Sequence, residues 1–586
     1  MGRNATSCLC IAITAAKTGG NWDKGQIMAE QSDKVGSKAA ESTTAINTLV
    51  GFRRSEVVKS LGIMAGYIAK QPKPFARHVG NYGRELLDIV KGDSELAPHP
   101  KDRRFQDPTW SKNPIYKRGL QSWLAMRREL DGWINDSGMH PADKARAKFV
   151  TDLIGDTLAP TNSLLGNPTA LKRMYETGGQ SLISGLKNAY DDLRNNGGMP
   201  RMVDGTPFTI GENVANTPGA VVYKTEMLEL IQYTPVTEQV RAVPLMIIPP
   251  QINKYYAVDL APDKSMIRYL VGQGFQVFAV SWRNPSRQHS HWGLEAYVEE
   301  LIDASDVVRK ITKSKRLNVS GACSGGTTMA LMLSELAARG DDRVNAFTLM
   351  VSVLDGKKSD SEVGLFVTDT AIEAARAHSK RKGILAGDEL ARSFAWMRPN
   401  DLIWNYVVNN YLLGEDPPPF DVLFWNDDST NLPAQLHSDY LDIFQKRSFR
   451  PDKTEVFMDH VIDLGAVTQD NFMVAGITDH ITPWKACYRN VRLFGGDTTF
   501  VLSNSGHIQS LLNPPGNPKA QYFTNDDFPP RADRWLEGAE SYGESWWLRW
   551  NEWLGERSGD MVDAPKKLGS AKHKPVAQAP GEYVFT

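Results

Sequence analysis

Long hydrophobic runs are missing from this chain. The strongest apolar stretches, Pro244 to Pro250 and Gln276 to Trp282, fall far short of the roughly 20 residues that a bilayer-spanning helix needs. No membrane span is expected. Cysteine is scarce: the four residues Cys8, Cys10, Cys323 and Cys487 have no regular spacing, which argues against a disulfide framework or a closed zinc site and fits a reducing cytoplasm. An excess of either charge is also absent. With 67 Lys plus Arg against 68 Asp plus Glu, there is no global positive field to attract nucleic acid, and no nucleic-acid partner is expected. What is present is a chain of 586 residues, 41% hydrophobic and 23% charged. These are globular values, over a length that suits more than one structural unit.

The beginning of the chain reads unlike the rest. Cys8 to Ala16 has some signal-peptide character, but it is short, follows a single Arg and runs into Lys17, Gly19 and Gly20. Met28 opens an ordinary polar start. Residues 1–40 are therefore expected to be disordered or to reflect a start assigned too far upstream. Residues 41–200 read as a mainly helical N-terminal domain, with helical spacing in Leu120, Trp123, Leu124 and Met126 and again in Leu182, Leu186 and Leu193. Asn195-Asn196-Gly197-Gly198 and Pro200 form a strong break, followed by a linker of about 20 residues.

Residues 201–586 read as an α/β unit. Short β-rich runs alternate with helical segments: Ala220 to Tyr223, Leu228 to Tyr233, Leu245 to Ile248, Val277 to Ser281, Leu317 to Ser320, Ala346 to Val353, Phe472 to Gly476 and Thr499 to Ser503. That alternation implies a mainly parallel sheet covered by helices. Between the sixth and seventh runs lies an insertion far longer than an ordinary connection. Residues 357–463 are assigned to it as a cap over the site. Its Asn400, Asp401, Asn405 and Asn409 fall at about helical intervals and are expected to knit the cap to the catalytic unit.

The segment Leu317-Asn-Val-Ser-Gly321-Ala-Cys323-Ser-Gly325-Gly326 is an apolar strand, then small residues around one nucleophile, then a helix expected to begin near Thr327. This is the strand-to-helix elbow Gly-x-nucleophile-x-Gly of α/β-hydrolases, with Cys323 where serine is commoner. The helix N-terminus favours a thiolate and presents the Ser324 N–H to a developing oxyanion. The competing reading is a buried, inert structural cysteine.

In α/β-hydrolases the nucleophile is followed by an acid and then a histidine, each on a loop after a late strand. Asp479 follows the run ending at Gly476, and His507 follows the run ending at Ser503. His480 is the rival base and Asp355 the rival acid, the latter read as structural. The backbone N–H of Ile252, in the loop after Leu245 to Ile248, is the candidate second oxyanion donor. Trp546, Trp550 and Trp553 sit at i, i+4 and i+7 of an amphipathic helix, read first as core and second as a surface for apolar partners. Lys70, Lys73 and Arg77 are read as solvated rather than phosphate-binding.

Taken together, Asp107-Pro-Thr-Trp-Ser-Lys-Asn-Pro-Ile-Tyr116, Pro249-Pro-Gln-Ile-Asn-Lys254, Ser281-Trp-Arg-Asn-Pro285, Gly321-Ala-Cys-Ser-Gly-Gly326, Trp396-Met-Arg-Pro-Asn-Asp401, Asn405 to Leu413, Gly476-Ile-Thr-Asp-His480 and Ser503-Asn-Ser-Gly-His507 closely resemble the polyhydroxyalkanoate synthases. The resemblance runs from about Thr44 to Tyr583. Within that family the Ala322-Cys323-Ser324 elbow looks like class II, which polymerises medium-chain (R)-3-hydroxyacyl-CoA. The resemblance implies an α/β-hydrolase fold with a cap insertion and Cys323, His507 and Asp479 as the catalytic residues. No cofactor is implied, because coenzyme A is part of the substrate. A growing polyester chain and its cytoplasmic granule surface are the implied partners, together with a homodimer formed through the cap. The rival functions are an intracellular polyester depolymerase or esterase on the same fold, and a non-catalytic granule-coating protein.

Overall fold

The computed structural model describes residues 54–357, 368–397 and 399–586. The expectations for residues 1–40 lie outside the described residues, as does part of the cap, 358–367.

The region before the linker is built from helices Arg54–Lys70, Pro72–Lys91, Pro114–Asp136, Pro141–Thr157, Pro168–Glu176 and Gln180–Asn195. Four of them open on a proline, whose fixed φ suits the first turn and whose missing N–H would have had no intrahelical acceptor. Asn113 and Asn167 cap two of these starts by accepting backbone N–H groups with their side chains. Two small cores result. One gathers Met64, Trp133, Ile134, Met139 and Ala147, and the other Phe105, Trp110, Leu120, Trp123 and Ala159. On the last helix Leu186 and Leu193, read as apolar helical spacing, are 63% and 71% exposed. Gly197 and Gly198 then turn the chain with φ of 59° and 79°, a conformation glycine adopts without steric penalty.

The second region is organised on an eleven-stranded sheet. Its strands are β1 Gly219–Lys224, β2 Leu228–Tyr233, β3 Leu245–Ile248, β4 Val277–Trp282, β5 Leu317–Ala322, β6 Val344–Met350, β7 Asp470–Gly476, β8 Thr498–Ser503, β9 Tyr522–Thr524, β10 Glu540–Tyr542 and β11 Ala577–Gln578. The spatial order is β10-β9-β8-β7-β6-β5-β3-β4-β2-β1-β11. The six strands from β8 to β4 pair in parallel, and both flanks are antiparallel. All eight strand runs read from the sequence are present. The sixth ends at Met350 rather than Val353, because Val351 takes a φ of 43° and leaves the extended conformation.

Side chains alternate along β3. Met246 and Ile248 enter a core with Leu301, Val308 and Met329, while Leu245 and Ile247 join Tyr256, Leu270, Phe472 and Trp550. Both faces are therefore covered, which is why the central strands read as continuous apolar runs. The helix Trp546–Glu556 completes the second core. Trp546, Trp547 and Trp550 are each 0% exposed, and their indole N–H groups donate to Ser510 O, Leu511 O and Thr348 Oγ1. The surface reading of these tryptophans is thus overturned.

The insertion between β6 and β7 contains helices Asp369–Lys382, Gly387–Met397, Asp421–Asp427 and Ala434–Lys446, with π-helical turns Asn400–Trp404 and Val407–Leu412. Asn400 and Asn410 tie it to the helical region and linker, whereas Asn431 Nδ2 donates to Pro285 O of the catalytic unit at 3.0 Å. Arg104 donates to Asn400 Oδ1 at 3.0 Å, Asn188 Nδ2 to Asn410 O at 3.2 Å, and Asn410 Nδ2 to Arg201 O at 2.8 Å.

Candidate active site

Between β5 and the helix Ser324–Ala338, Cys323 takes φ 50° and ψ −120°, a strained conformation for a residue with a side chain. The helix begins at Ser324, earlier than expected. Gly326 and Thr327 N–H both donate to Cys323 O, at 3.0 and 3.3 Å, so winding starts directly at the cysteine. The glycines are required by close approach. A Cβ on Gly321 would lie 2.8 Å from Gly326 Cα, and one on Gly325 would lie 2.5 Å from Ile248 O and 2.6 Å from Pro249 O. Cys323 itself is 8% exposed.

β7 and β8 pair Gly476 with Ser503 at their carboxyl ends, which brings the loops carrying Asp479 and His507 together. His507 Nδ1 lies 2.7 Å from Asp479 Oδ2, with side chains 1% and 0% exposed. His507 is also hydrogen-bonded to Cys323. The remaining acceptor capacity of Asp479 is used locally: Ile481 and Thr482 N–H donate to Oδ1 at 2.8 and 2.9 Å, and Thr482 Oγ1 donates to Oδ2 at 2.6 Å. Burial by itself would raise the Asp479 pKa, but the neighbouring His507 and these hydrogen bonds hold it below the ordinary carboxylate value. Burial would lower the His507 pKa, and the Asp479 carboxylate with the Cys323 contact raises it to about 10. The imidazole is thus poised to hold a proton taken from the thiol.

The rivals fall elsewhere. His480 is exposed. Asp355 Oδ1 accepts Arg447 Nε at 2.7 Å, and its Oδ2 lies 3.7 Å from Arg489 Nε, so it ties the end of a cap helix to the sheet. Lys70, Lys73 and Arg77 are exposed, and Arg77 pairs with Asp136.

Ser324 N–H occupies the first helical position, where no intrahelical acceptor exists. In the loop after β3, Gln251 N–H donates to Ser324 Oγ at 3.2 Å and Asn253 N–H to Thr430 Oγ1 at 2.8 Å. Among the described residues, the Ile252 N–H between them donates to no protein acceptor. The sequence reading missed what fixes this loop: Tyr440 Oη donates to Gln251 Oε1 at 2.7 Å and Thr430 Oγ1 to Gln251 O at 2.9 Å. It also missed Thr482. The spacing Asp479-x-x-Thr482, common in turns where a carboxylate accepts N–H groups two and three residues on, was a usable signal. Among the described residues, no group of three or more His, Cys, Asp or Glu side chains is placed to hold a metal.

An elbow after the fifth strand, with an acid and a histidine after the seventh and eighth, defines an α/β-hydrolase-fold protein with cysteine at the nucleophile position. Residues 244–514 match the family described as alpha/beta hydrolase fold, and residues 101–270 match that described as Poly-beta-hydroxybutyrate polymerase (PhaC) N-terminus. The chain is 50% identical over 556 residues to Poly(3-hydroxyalkanoate) polymerase 1 of Ectopseudomonas oleovorans, covering 95% of this chain and 99% of that one. It is 48% identical to polymerase 2 of the same organism, over 93% of this chain and 98% of that one. Against the Poly(3-hydroxyalkanoate) polymerase subunit PhaC of Cupriavidus necator it is 37% identical, over 87% of each chain. The chain belongs to the poly(3-hydroxyalkanoate) polymerase family.

Proposed function

We propose that this protein polymerises (R)-3-hydroxyacyl-CoA, with a preference for medium chains, into polyester through an acyl group carried on Cys323. The observation that carries this reading is the buried relay Cys323–His507–Asp479 at an elbow whose nucleophile is a thiol. His507 already holds the Cys323 proton when sulfur attacks the substrate thioester, and gives it to the departing CoA thiolate. The Ser324 and Ile252 N–H groups hold the tetrahedral oxyanion. One thioester replaces another, so acyl-transfer potential is kept. The 3-hydroxyl of the next unit then attacks the Cys323 thioester, forming an ester and freeing the thiol. No cofactor enters this scheme. The near-complete burial of Cys323 supports exclusion of water, which favours transfer over hydrolysis. Both Asp479 oxygens are occupied by protein donors, which supports an orienting role toward His507 rather than activation of the incoming hydroxyl. The medium-chain preference rests on the Ala322-Cys323-Ser324 form of the elbow.

The test is incubation of purified protein with (R)-3-hydroxyacyl-CoA of several lengths, following thiol release and the insoluble product. Cys323→Ala and His507→Ala are each expected to abolish CoA release, and near-normal turnover in either would defeat the assignment. Free hydroxy acid as the main product would favour the esterase reading. Asp479→Asn that still acylates but fails to elongate would return the hydroxyl-activating role to Asp479. A cytoplasmic granule location belongs to the same reading. It is supported by the outward apolar stripe Ile183, Leu186, Tyr190 and Leu193, each 60% to 71% exposed, a surface suited to an apolar polymer. So does homodimerisation through the cap, where Trp396 is 38% exposed. Sedimentation of wild type and Trp396→Ser checks the dimer.

A further inference from the structure

Two residues beyond Ile252, the Lys254 side chain is almost wholly buried, at 3% exposure. Its Nζ donates to Tyr583 O at 3.4 Å and to a backbone oxygen of Thr586, while its own carbonyl accepts the indole N–H of Trp425 in the cap at 2.8 Å. Burial lowers the Lys254 pKa, and the cap carboxylate Asp428 counteracts it. The partner segment is itself firmly held. Glu229 Oε2 accepts Glu582 and Tyr583 N–H at 2.8 and 3.0 Å, and Arg283 donates to Tyr583 Oη at 2.7 Å with its guanidinium 4.3 Å from the ring centroid. Lys254 thus joins three parts far apart in sequence: its ammonium ties the loop after β3 to residues 582–586, and its carbonyl ties the loop to the cap. Between Ile252 and Lys254, Asn253 adopts φ 68°, a left-handed conformation asparagine tolerates, and is held by its N–H to Thr430 Oγ1 and its Nδ2 to Asn426 O at 3.2 Å.

We propose that Lys254 is a positioning residue and that residues 582–586 are its lock: the ammonium, fastened to Tyr583 and Thr586, keeps the Ile252 N–H aimed at the developing oxyanion. This inference rests on the polymerase reading and its oxyanion assignment. Lys254 acts through the loop, so losing it should weaken transition-state stabilisation and leave substrate binding alone.

The experiment compares full-length wild type with Lys254→Met, with a chain ending at Gly581, and with the two changes combined, all at a temperature where circular dichroism shows them folded. The expected result is a kcat for CoA release about ten- to hundred-fold lower in each single variant with KM within about two-fold, the pattern of an interaction made only in the transition state. The combined variant should be no worse than either single one, because both break the same connection. Alkylation of Cys323 by iodoacetamide should keep its wild-type rate, since His507 and Asp479 are untouched. Unchanged kcat in either single variant, multiplied defects in the combination, or alkylation falling in parallel with turnover overturns the proposal. Wild-type protein that releases no CoA overturns the polymerase reading itself, an outcome distinct from active wild type with indifferent variants.

Discussion

The helices Trp546–Glu556 and Gln180–Asn195 have the same kind of apolar spacing and opposite orientations. The first turns its apolar face inward, with Trp546, Trp547 and Trp550 fully buried and their N–H groups bonded. The second turns its polar and small face inward. Ser181, Gly185, Asn188 and Asp192 are buried, while Ile183, Leu186, Tyr190 and Leu193 face out. The inward face works because it packs closely on the cap and hydrogen-bonds to the cap and the linker. A Cβ on Gly185 would lie 1.9 Å from Tyr411 O, so the backbones meet where only hydrogen fits. Asn188 Nδ2 lies 3.2 Å from both Asn410 O and Glu415 O, and Asp192 accepts Tyr411 Oη at 2.9 Å and Arg201 Nε at 2.7 Å. Spacing therefore identifies a helix and its apolar face, but which face is covered depends on what the neighbouring segment can hydrogen-bond.

Three variants probe this contrast. Trp550→Ala should be the most damaging, destabilising the protein by about 3–5 kcal/mol through lost packing and stranding Thr348 Oγ1; urea unfolding followed by tryptophan fluorescence measures it. Gly185→Ala should cost less, about 1–3 kcal/mol, because the helix must back away from Tyr411. Hydrogen exchange should then quicken in the helix and in Val407–Leu412 but not in the sheet. Replacing Ile183, Leu186, Tyr190 and Leu193 together by Ser should change stability least, within about 0.5 kcal/mol per site as for exposed positions. The same quadruple variant should lose co-sedimentation with polyester particles while CoA release continues. Destabilisation on the scale of Trp550→Ala would show instead that this face is covered by the chain itself.

Much of the fold was legible because its signals are local. The eight apolar runs became strands, and the elbow glycines announced Cys323 through close contacts inside one short segment. Asp479 and His507 were legible by chain order, since each follows a strand by a few residues. β9, β10 and β11 were not, because they are two or three residues long and exist only through distant partners, as when Ala577 pairs with Val221. Thr482 was overlooked beside the more conspicuous His480. The fixing of Gln251, Asn253 and Lys254 was beyond reach, because their partners Thr430, Tyr440 and Tyr583 lie 177, 189 and 329 residues away.

The pairing of β11 with the edge of β1 also has a meaning in time. A ribosome releases Gly219–Lys224 long before Ala577–Gln578, so during synthesis β1 waits with one edge open while the rest of the sheet assembles. The residues that fill that edge lead directly into Tyr583 and the backbone oxygens around Lys254. A nascent chain can therefore pair most of the sheet first, yet Lys254 finds its partner Tyr583 only when synthesis has passed that residue.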